Sequence, residues 1–292
     1  MTGIIVLDKP KGITSFGVVA AVKRITGEKK CGHTGTLDPM ATGVMPVLLG
    51  GATRFCELLP SHDKAYRAKI LLGTVTDTLD ITGTVLKTSE VNVKQEQFKN
   101  ALARFTGEIE QLPPMYSAVS VDGKRLYELA RKGIEVERKA RRVSVYSADL
   151  ISADEEKGEY EIAVACSAGT YIRTLAADIG EVLGCGAVLT QLRRTAANGF
   201  TAEDAVTPEL LSLLSDFSGV LISVDKALAA YSAVTVTAAQ AVRFKNGGEL
   251  DRGRISCECE GGLIRVYSPQ NEFLGLGEIT DTQLKVKRVY NG

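Results

Sequence analysis

The chain has 292 residues, of which 45% are hydrophobic, so it is long enough to bury a large core and to carry a second, smaller domain. Its 35 basic and 35 acidic side chains cancel, so net charge gives no indication of a nucleic-acid partner, which must be argued from local charge. The apolar run at residues 4–7 is too short for a signal peptide or a membrane span, and we expect a soluble, cytoplasmic protein.

The cysteines and histidines give no indication of a metal site. Six cysteines are scattered along the chain without the C-x-x-C spacing of a zinc or redox site: Cys31, Cys56, Cys166, Cys185, Cys257 and Cys259. We expect free thiols, and the alternation of Cys257 and Cys259 is typical of a strand. Only His33 and His62 are present, so a His-rich metal centre cannot be built, and we predict no metal.

Apolar periodicity predicts strands and helices in the first third of the chain. Residues 4–7 are typical of a short strand, and Thr14 or Ser15 is placed to cap the helix that follows. Strands are predicted at residues 44–49 and 66–72, and the second alternates so that one face is buried.

Two further helices complete the pattern of the larger domain. One is predicted at residues 97–105, and a stronger one begins at Thr170 and is ended by Gly184 and Gly186. Strands and helices mix without strict alternation, which predicts the α+β class with a mixed, largely antiparallel sheet.

From about Ala229 the pattern changes to short strands and glycine turns. The predicted strands are residues 234–236, 255–259, 263–267, 273–279 and 284–289, with a brief helix at 238–244. We therefore predict a first domain at residues 1–228 and a small β-barrel-like domain at residues 229–292.

Residues 124–142 form the dense basic segment of the chain. Its cations are Lys124, Arg125, Arg131, Lys132, Arg138, Lys139, Arg141 and Arg142, against three acids. A solvated helical face is the ordinary interpretation of such a run. The apolar, turn-rich residues 113–118 before it favour an excursion that lies along a polyanion. We place this basic insertion at about residues 107–148.

Residues 32–43, here called the Asp38 loop, isolate one carboxylate in a glycine-rich and otherwise uncharged stretch. Pro39 biases Asp38 toward extended backbone, and the glycines allow close approaches that larger residues resist. These residues alone leave two interpretations open, a catalytic aspartate or a turn residue that caps the next element.

Several separated segments together resemble the bacterial tRNA pseudouridine synthases of the TruB type. The matching segments, in order, are residues 8–15, the Asp38 loop with residues 44–47, then 63–66, 166–175 and 192–195. Residues 113–118 and 123–131 fit the mobile insertion of that family, and the tail resembles a PUA domain, a small RNA-binding barrel. Each motif alone is moderately specific, whereas their order is highly specific.

The resemblance implies an isomerase that converts uridine to pseudouridine at position 55, in the T loop of tRNA. The N–C glycosidic bond breaks, the uracil turns, and it is rejoined through carbon, with no cofactor. Asp38 is the implied catalytic carboxylate, as nucleophile or as base. Arg173 is its implied partner, and we expect the guanidinium to lower the pKa of Asp38 enough to offset moderate desolvation.

The remaining site residues are also implied by the resemblance. The target base must leave its place in the folded RNA. Tyr66 resembles the tyrosine that packs on the flipped uracil, and we count it among the implied catalytic residues. His33 resembles the histidine that fills the vacated region of the RNA loop. The other candidate substrate-binding residues are Tyr171, Leu192, Lys9, Lys124, Arg125, Arg141 and Arg142. Lys9, with Pro10, is also expected to brace the Asp38 loop.

Partner predictions follow from the same resemblance: the T arm of tRNA, no membrane, and a monomeric enzyme. Two other functions fit parts of the sequence. A non-catalytic RNA chaperone needs the basic insertion and the barrel, but not Asp38, Tyr66 and Arg173 together. A glycosidase needs a second carboxylate, and the nearest candidates, Asp77 and Asp80, are more typical of turn formers.

Overall fold

The computed structural model describes residues 1–121, 123–256 and 261–292. Over those residues, a nine-stranded sheet forms the larger domain. Its main path runs β1 (Gly3–Lys9), β3 (Thr42–Leu49), β12 (Ala187–Ala197), β4 (Lys64–Leu72), β11 (Glu159–Cys166), β10 (Arg141–Asp154) and β7 (Gly107–Gln111). Beside that path, β2 (Cys31–His33) pairs with β3 and β13 (Phe200–Thr201) with β12.

Within the described sheet, the pairing of β12 with β3 is parallel and the others are antiparallel. The helices are α1 (Ser15–Thr26), α2 (Gln95–Ala103), α3 (Leu126–Ala130), α4 (Ile172–Val182), α5 (Pro208–Leu213), α6 (Val224–Ala227) and α7 (Ala238–Lys245). The 3₁₀ helices lie at Gly50–Leu58, Ala202–Asp204 and Arg252–Arg254. Two hairpins pair β5 (Thr74–Thr76) with β6 (Val85–Thr88) and β8 (Ser120–Val121) with β9 (Lys124–Arg125). The α+β prediction with a mixed, largely antiparallel sheet is confirmed.

Local chemistry explains where α1 and α4 begin. Thr14 caps α1, since its side chain accepts a hydrogen bond from the Gly17 N–H at 3.0 Å. Helix α4 begins at Ile172, two residues later than predicted, because the Thr170 hydroxyl donates to the Ser167 carbonyl at 3.0 Å and closes a turn there. After α4, Gly184 has a φ of 77°, which ends the helix as predicted.

The tail forms a separate five-stranded sheet in the described residues. Its order is β14 (Ala233–Thr235), β16 (Gly262–Tyr267), β17 (Phe273–Ile279), β18 (Gln283–Val289) and β15 (Leu250–Asp251). The strand predicted at residues 255–259 falls largely on residues 257–260, so Cys257 and Cys259 lie outside the described residues. Strand β15 was not predicted, because two residues are too short to show alternation.

The two sheets share apolar contacts. Leu276 in β17 belongs to the same buried cluster as Ile4 and Phe55 of the larger domain, and Phe273 and Tyr290 pack against that cluster. Tyr290 also meets the ring of Phe55, with a centroid distance of 6.3 Å. The tail therefore rests on the larger domain through buried apolar surface.

Over the described residues, no helix has the length and apolar character needed to cross a membrane.

Candidate active site

The Asp38 loop is anchored on both sides of Asp38 by residues 8–15, which we call the N-terminal segment. Before Asp38, the buried Ser15 hydroxyl donates to the Leu37 carbonyl at 2.9 Å and accepts from the Leu37 N–H at 2.8 Å. After Asp38, the Gly12 N–H donates to the Pro39 carbonyl at 2.7 Å. These bonds fix the backbone from which the carboxylate projects.

Lys9 adds a buried charge to this anchor. Its side chain is fully buried, and its ammonium donates to the carbonyls of Pro39 at 3.4 Å and Ala41 at 2.5 Å, as well as to Pro10 at 3.0 Å. Burial lowers the pKa of Lys9 to about 8, against the opposing attraction of Asp38. The ammonium contacts backbone carbonyls of the Asp38 loop, as the expected bracing role requires, and the assignment of Lys9 as a substrate contact stays a prediction.

Asp38 and Arg173 form a two-bond contact. The Arg173 Nε lies 2.9 Å from Asp38 Oδ2, and the Nη2 donates to Oδ1 at 3.2 Å. Arg173 stands in the first turn of α4 and is 5% exposed, whereas the Asp38 side chain keeps 31% exposure. The guanidinium also donates to the carbonyls of Thr78 at 3.1 Å and Tyr116 at 2.8 Å. The Asp38 carboxylate is thus fixed by Arg173, while part of the side chain remains exposed to solvent.

A second carboxylate, Asp80, shares this guanidinium. Its Oδ2 lies 3.8 Å from the Arg173 Nη1, and the residue is 4% exposed. Its Oδ1 accepts from the Thr82 N–H at 2.9 Å and the Thr78 hydroxyl at 2.9 Å, so Asp80 is also the turn former that the sequence predicted. Sequence reasoning missed its contact with Arg173. Because it is buried in its own turn, it does not present the second free carboxylate that a glycosidase requires.

The electrostatics of Asp38 correct one expectation. Burial raises the pKa of Asp38 above its ordinary value, Asp80 raises it further, and Arg173 and Lys9 oppose the rise without cancelling it. We predicted that Arg173 lowers the pKa of Asp38 enough to offset desolvation. That prediction was wrong, because the net shift of this pKa is upward. The physical reason is that the desolvation of the Asp38 carboxylate outweighs the attraction of Arg173, and the repulsion of Asp80 adds to the rise.

Tyr66 and Leu192 lie on adjacent strands beside this cluster. Tyr66 is 6% exposed, and Leu192 on β12 is paired with Ala68, two residues along β4. Burial raises the pKa of Tyr66 to about 12, so its phenol is neutral at physiological pH. Both side chains belong to the same apolar cluster as Leu37 and Met40, which flank Asp38.

The sequence shows Arg194 only as part of the motif at residues 192–195. In the structure its side chain connects three segments of the chain. It is fully buried, and its Nε donates to the Val44 carbonyl at 2.6 Å and its Nη2 to the Gly35 carbonyl at 3.3 Å. It also interacts with the Tyr66 phenol. Gly43, with a φ of 106°, lets the loop approach this strand, since a Cβ there would lie 2.1 Å from the Arg194 carbonyl oxygen.

His33 and Tyr171 flank the cluster, and neither hydrogen-bonds Asp38 within the described residues. His33 lies on β2 and is partly buried, and burial together with the charge of Arg194 lowers its pKa, which favours the neutral ring. Tyr171 precedes α4, where its N–H donates to the Gln111 side-chain oxygen at 2.9 Å. The assignment of both residues as substrate contacts stays a prediction.

The basic insertion remains on the surface. Lys124, Arg125, Arg141 and Arg142 are all exposed. Arg125 donates to the Ala118 carbonyl, and Arg142 lies 3.8 Å from a carboxylate oxygen of Glu110. The described residues contain no group of three or more His, Cys, Asp or Glu arranged to hold a metal ion.

Comparison with known proteins places the chain in a family. Three family models cover most of the chain: TruB family pseudouridylate synthase (N terminal domain) at residues 23–172, tRNA pseudouridylate synthase B C-terminal domain at 173–228, and Pseudouridine synthase II TruB, C-terminal, at 232–290. The chain belongs to the TruB family of pseudouridylate synthases.

Relatives extend over the whole chain. A tRNA pseudouridine synthase B of Azoarcus sp. (strain BH72) is 46% identical over 98% of this chain and 94% of its own. One from Clostridium kluyveri is 41% identical over 99% and 100%. Among solved structures, a Cbf5-Nop10-Gar1 complex contains a chain with a TM-score of 0.75 and 27% identity, covering 98% of this chain and 84% of that one. The resemblance inferred from the sequence is confirmed.

Proposed function

We propose that the protein converts uridine 55 in the T loop of tRNA to pseudouridine and that Asp38 is its catalytic carboxylate. The relatives at 41% and 46% identity are tRNA pseudouridine synthases B. The observation that carries the assignment of Asp38 is its contact with Arg173 through two guanidinium nitrogens while 31% of the side chain stays open. A carboxylate held in this way is oriented toward an incoming nucleotide.

The site residues divide the work. Arg173 orients Asp38 and supports its charged form, and the N-terminal segment fixes the backbone on either side of it. Tyr66, as a neutral ring, packs against the flipped uracil, and Leu192 and Tyr171 form further walls. Asp38 then acts at the sugar, as nucleophile or as base, so that the glycosidic N–C bond breaks and the turned uracil is rejoined through C5. The C5 proton is lost and N1 gains a proton, so the product is an isomer of the substrate.

Binding is assigned to surfaces outside this cluster. We infer that residues 1–228 form the catalytic domain, that the basic insertion at about 107–148 contacts the T arm through Lys124, Arg125, Arg141 and Arg142, and that residues 229–292 hold a more remote part of the tRNA. His33 occupies the space that the flipped base leaves. The enzyme acts as a monomer in the cytoplasm.

The test is a map of pseudouridine in tRNA from cells that lack the protein. We expect pseudouridine 55 to be absent, to return with the wild-type gene, and to stay absent with Asp38→Asn at equal protein level. Pseudouridine 55 in the deletion strain would refute the substrate, and restoration by Asp38→Asn would refute the role of Asp38. Restored tRNA function without restored modification would instead favour the chaperone alternative.

A further inference from the structure

A groove of about 420 Å³ crosses the sheet next to the Asp38 loop. On β4, Arg67 and Lys69 alternate with the core residues Tyr66, Ala68 and Ile70, so they point to the opposite face of the sheet from the core. The remaining lining residues belong to the N-terminal segment, the Asp38 loop and the neighbouring strands: Lys11, Met40, Thr42, Glu161, Thr190, Gln191, Leu192 and Arg193.

The charges in the groove do not balance. Arg67 lies 3.0 Å from a carboxylate oxygen of Glu161, and Arg193 forms two hydrogen bonds to Asp8, at 3.0 and 2.8 Å. The other two cations in the lining of the groove, Lys11 and Lys69, belong to neither pair. Within the described part of the chain, the ammonium groups of Lys11 and Lys69 have neither an ion pair nor a hydrogen bond. The groove therefore offers two unused positive charges to an anion.

The position of the groove indicates which anion it receives. Met40 follows Asp38 by two residues and lines the groove, and Leu192 belongs both to its lining and to the apolar cluster around Tyr66. Lys11 precedes Gly12, whose N–H is bonded to the carbonyl of Pro39. The groove that holds the two ammonium groups therefore borders the Asp38 loop, through Met40 in its lining and through the contact of the N-terminal segment with Pro39.

We propose that this groove binds the phosphodiester backbone of the RNA next to the flipped uridine, through Lys11 and Lys69. The inference rests on the proposed function, because it takes the strand at Asp38 to be RNA. A uridine that leaves its place in the RNA loop pulls its flanking phosphates toward the protein, where cations stabilise the distorted backbone. The exposed amide of Gln191 supplies a neutral hydrogen-bonding group in the same groove.

The test measures affinity for a T-stem-loop RNA as a function of salt. Each phosphate that is no longer neutralised reduces the slope of log affinity against log salt by about 0.7 to 0.9, so Lys11→Ala/Lys69→Ala is expected to reduce it by about 1.4 to 1.8. We expect binding to weaken about tenfold at low salt. Lys11→Arg/Lys69→Arg keeps both charges and is expected to retain most of the affinity.

The matched control is Lys23→Ala/Lys87→Ala, which removes two exposed lysines outside the groove. It is expected to leave the slope within about 0.5 of wild type, because neither lysine lies in the groove that the proposal assigns to the phosphates. An unchanged slope in the groove variant, or an equal loss in the control, would overturn the groove assignment. Failure of the wild-type protein to bind the stem-loop would instead overturn the proposed function.

Discussion

Two groups of charged residues in this molecule differ in their exposure to water. Around Asp38 the cations are desolvated: Arg173 is 5% exposed, and Arg194 and Lys9 are fully buried. In the basic segment at residues 124–142 most cations are exposed to water. Each buried charge is costly and fixed by particular hydrogen bonds, so losing one member disturbs the others. Exposed charges act by number, and any one of them contributes little.

We propose that the two groups serve different steps of the reaction. On this proposal, the buried group sets the geometry and charge of Asp38 and therefore the rate of the chemical step. On the same proposal, the exposed group sets how strongly the RNA is held and how that binding responds to salt. Variants in each group are expected to change one quantity and leave the other nearly constant.

The largest expected effect is that of Asp38→Asn. The amide keeps the shape of the side chain but provides neither a nucleophile nor a base, so we expect the single-turnover rate to fall by about a thousandfold or more. Affinity for tRNA is expected to stay within about threefold, because phosphate contacts supply most of the binding. Rapid quench with pseudouridine quantification, together with filter binding, measures both.

The next effect is that of Arg173→Met. It leaves Asp38 and Asp80 without their shared cation, and we expect the rate at neutral pH to fall about a hundredfold, with partial recovery in Arg173→Lys. The pH profile gives a sharper readout. Asp38 must be ionised, so the rate falls as pH drops through its pKa, which in the wild type is already raised above its ordinary value of 3.8. Loss of the cation raises that pKa further.

We therefore expect the acidic limb of the rate profile to shift to higher pH in Arg173→Met. An acidic limb at the wild-type position would show that another group sets the charge of Asp38. Circular dichroism on the same samples separates a change in ionisation from unfolding.

A smaller effect is expected for Ser15→Ala. The substitution removes both hydrogen bonds to Leu37 and leaves its backbone groups unpaired, so Asp38 is less well positioned and kcat falls about tenfold with little change in KM. Thr14→Ala is the matched control. It weakens the cap of the same helix without touching the Asp38 loop, so its thermal stability falls and its kcat stays near wild type. Equal loss of kcat in both variants would contradict a positioning role for Ser15.

The smallest effect on rate is expected in the basic insertion. Replacing Arg138, Lys139, Arg141 and Arg142 by Ala is expected to weaken tRNA binding and to reduce the salt slope by about 0.7 to 0.9 for each phosphate that these cations neutralise in the wild type. The rate at saturating tRNA is expected to stay within about threefold of wild type. The charge-preserving control, with Lys at the three arginine positions, is expected to keep the slope. A wild-type slope in the alanine variant would return this segment to the role of a solvated face.

Much of the fold could be predicted from the sequence because its signals are local. Alternation predicted β4, and the left-handed glycine at position 184 predicted the end of α4. The Asp38 loop was evident because an isolated carboxylate among glycines is unusual. The partnership of Asp38 with Arg173, which are 135 residues apart, came from resemblance to a family and not from spacing.

What the sequence did not show depends on contacts between distant segments. Asp80 was identified as a turn former, which it is, but its contact with Arg173 requires the β5–β6 hairpin to fold against α4. Arg194 gave no signal of burial, because an arginine in a strand is ordinarily exposed. The net sign of the pKa shift at Asp38 was also out of reach, since it depends on how completely the fold excludes water.

The most direct test of the division between the two groups is one experiment on one tRNA. Single-turnover rates are measured over a range of enzyme concentrations for the wild type, for Asp38→Asn and for the alanine variant of the basic insertion. We predict that Asp38→Asn loses the plateau rate and keeps the half-saturating concentration, whereas the insertion variant keeps the plateau and needs more enzyme to reach it. A substantial plateau rate in Asp38→Asn, or a collapsed plateau in a folded insertion variant, would contradict the account.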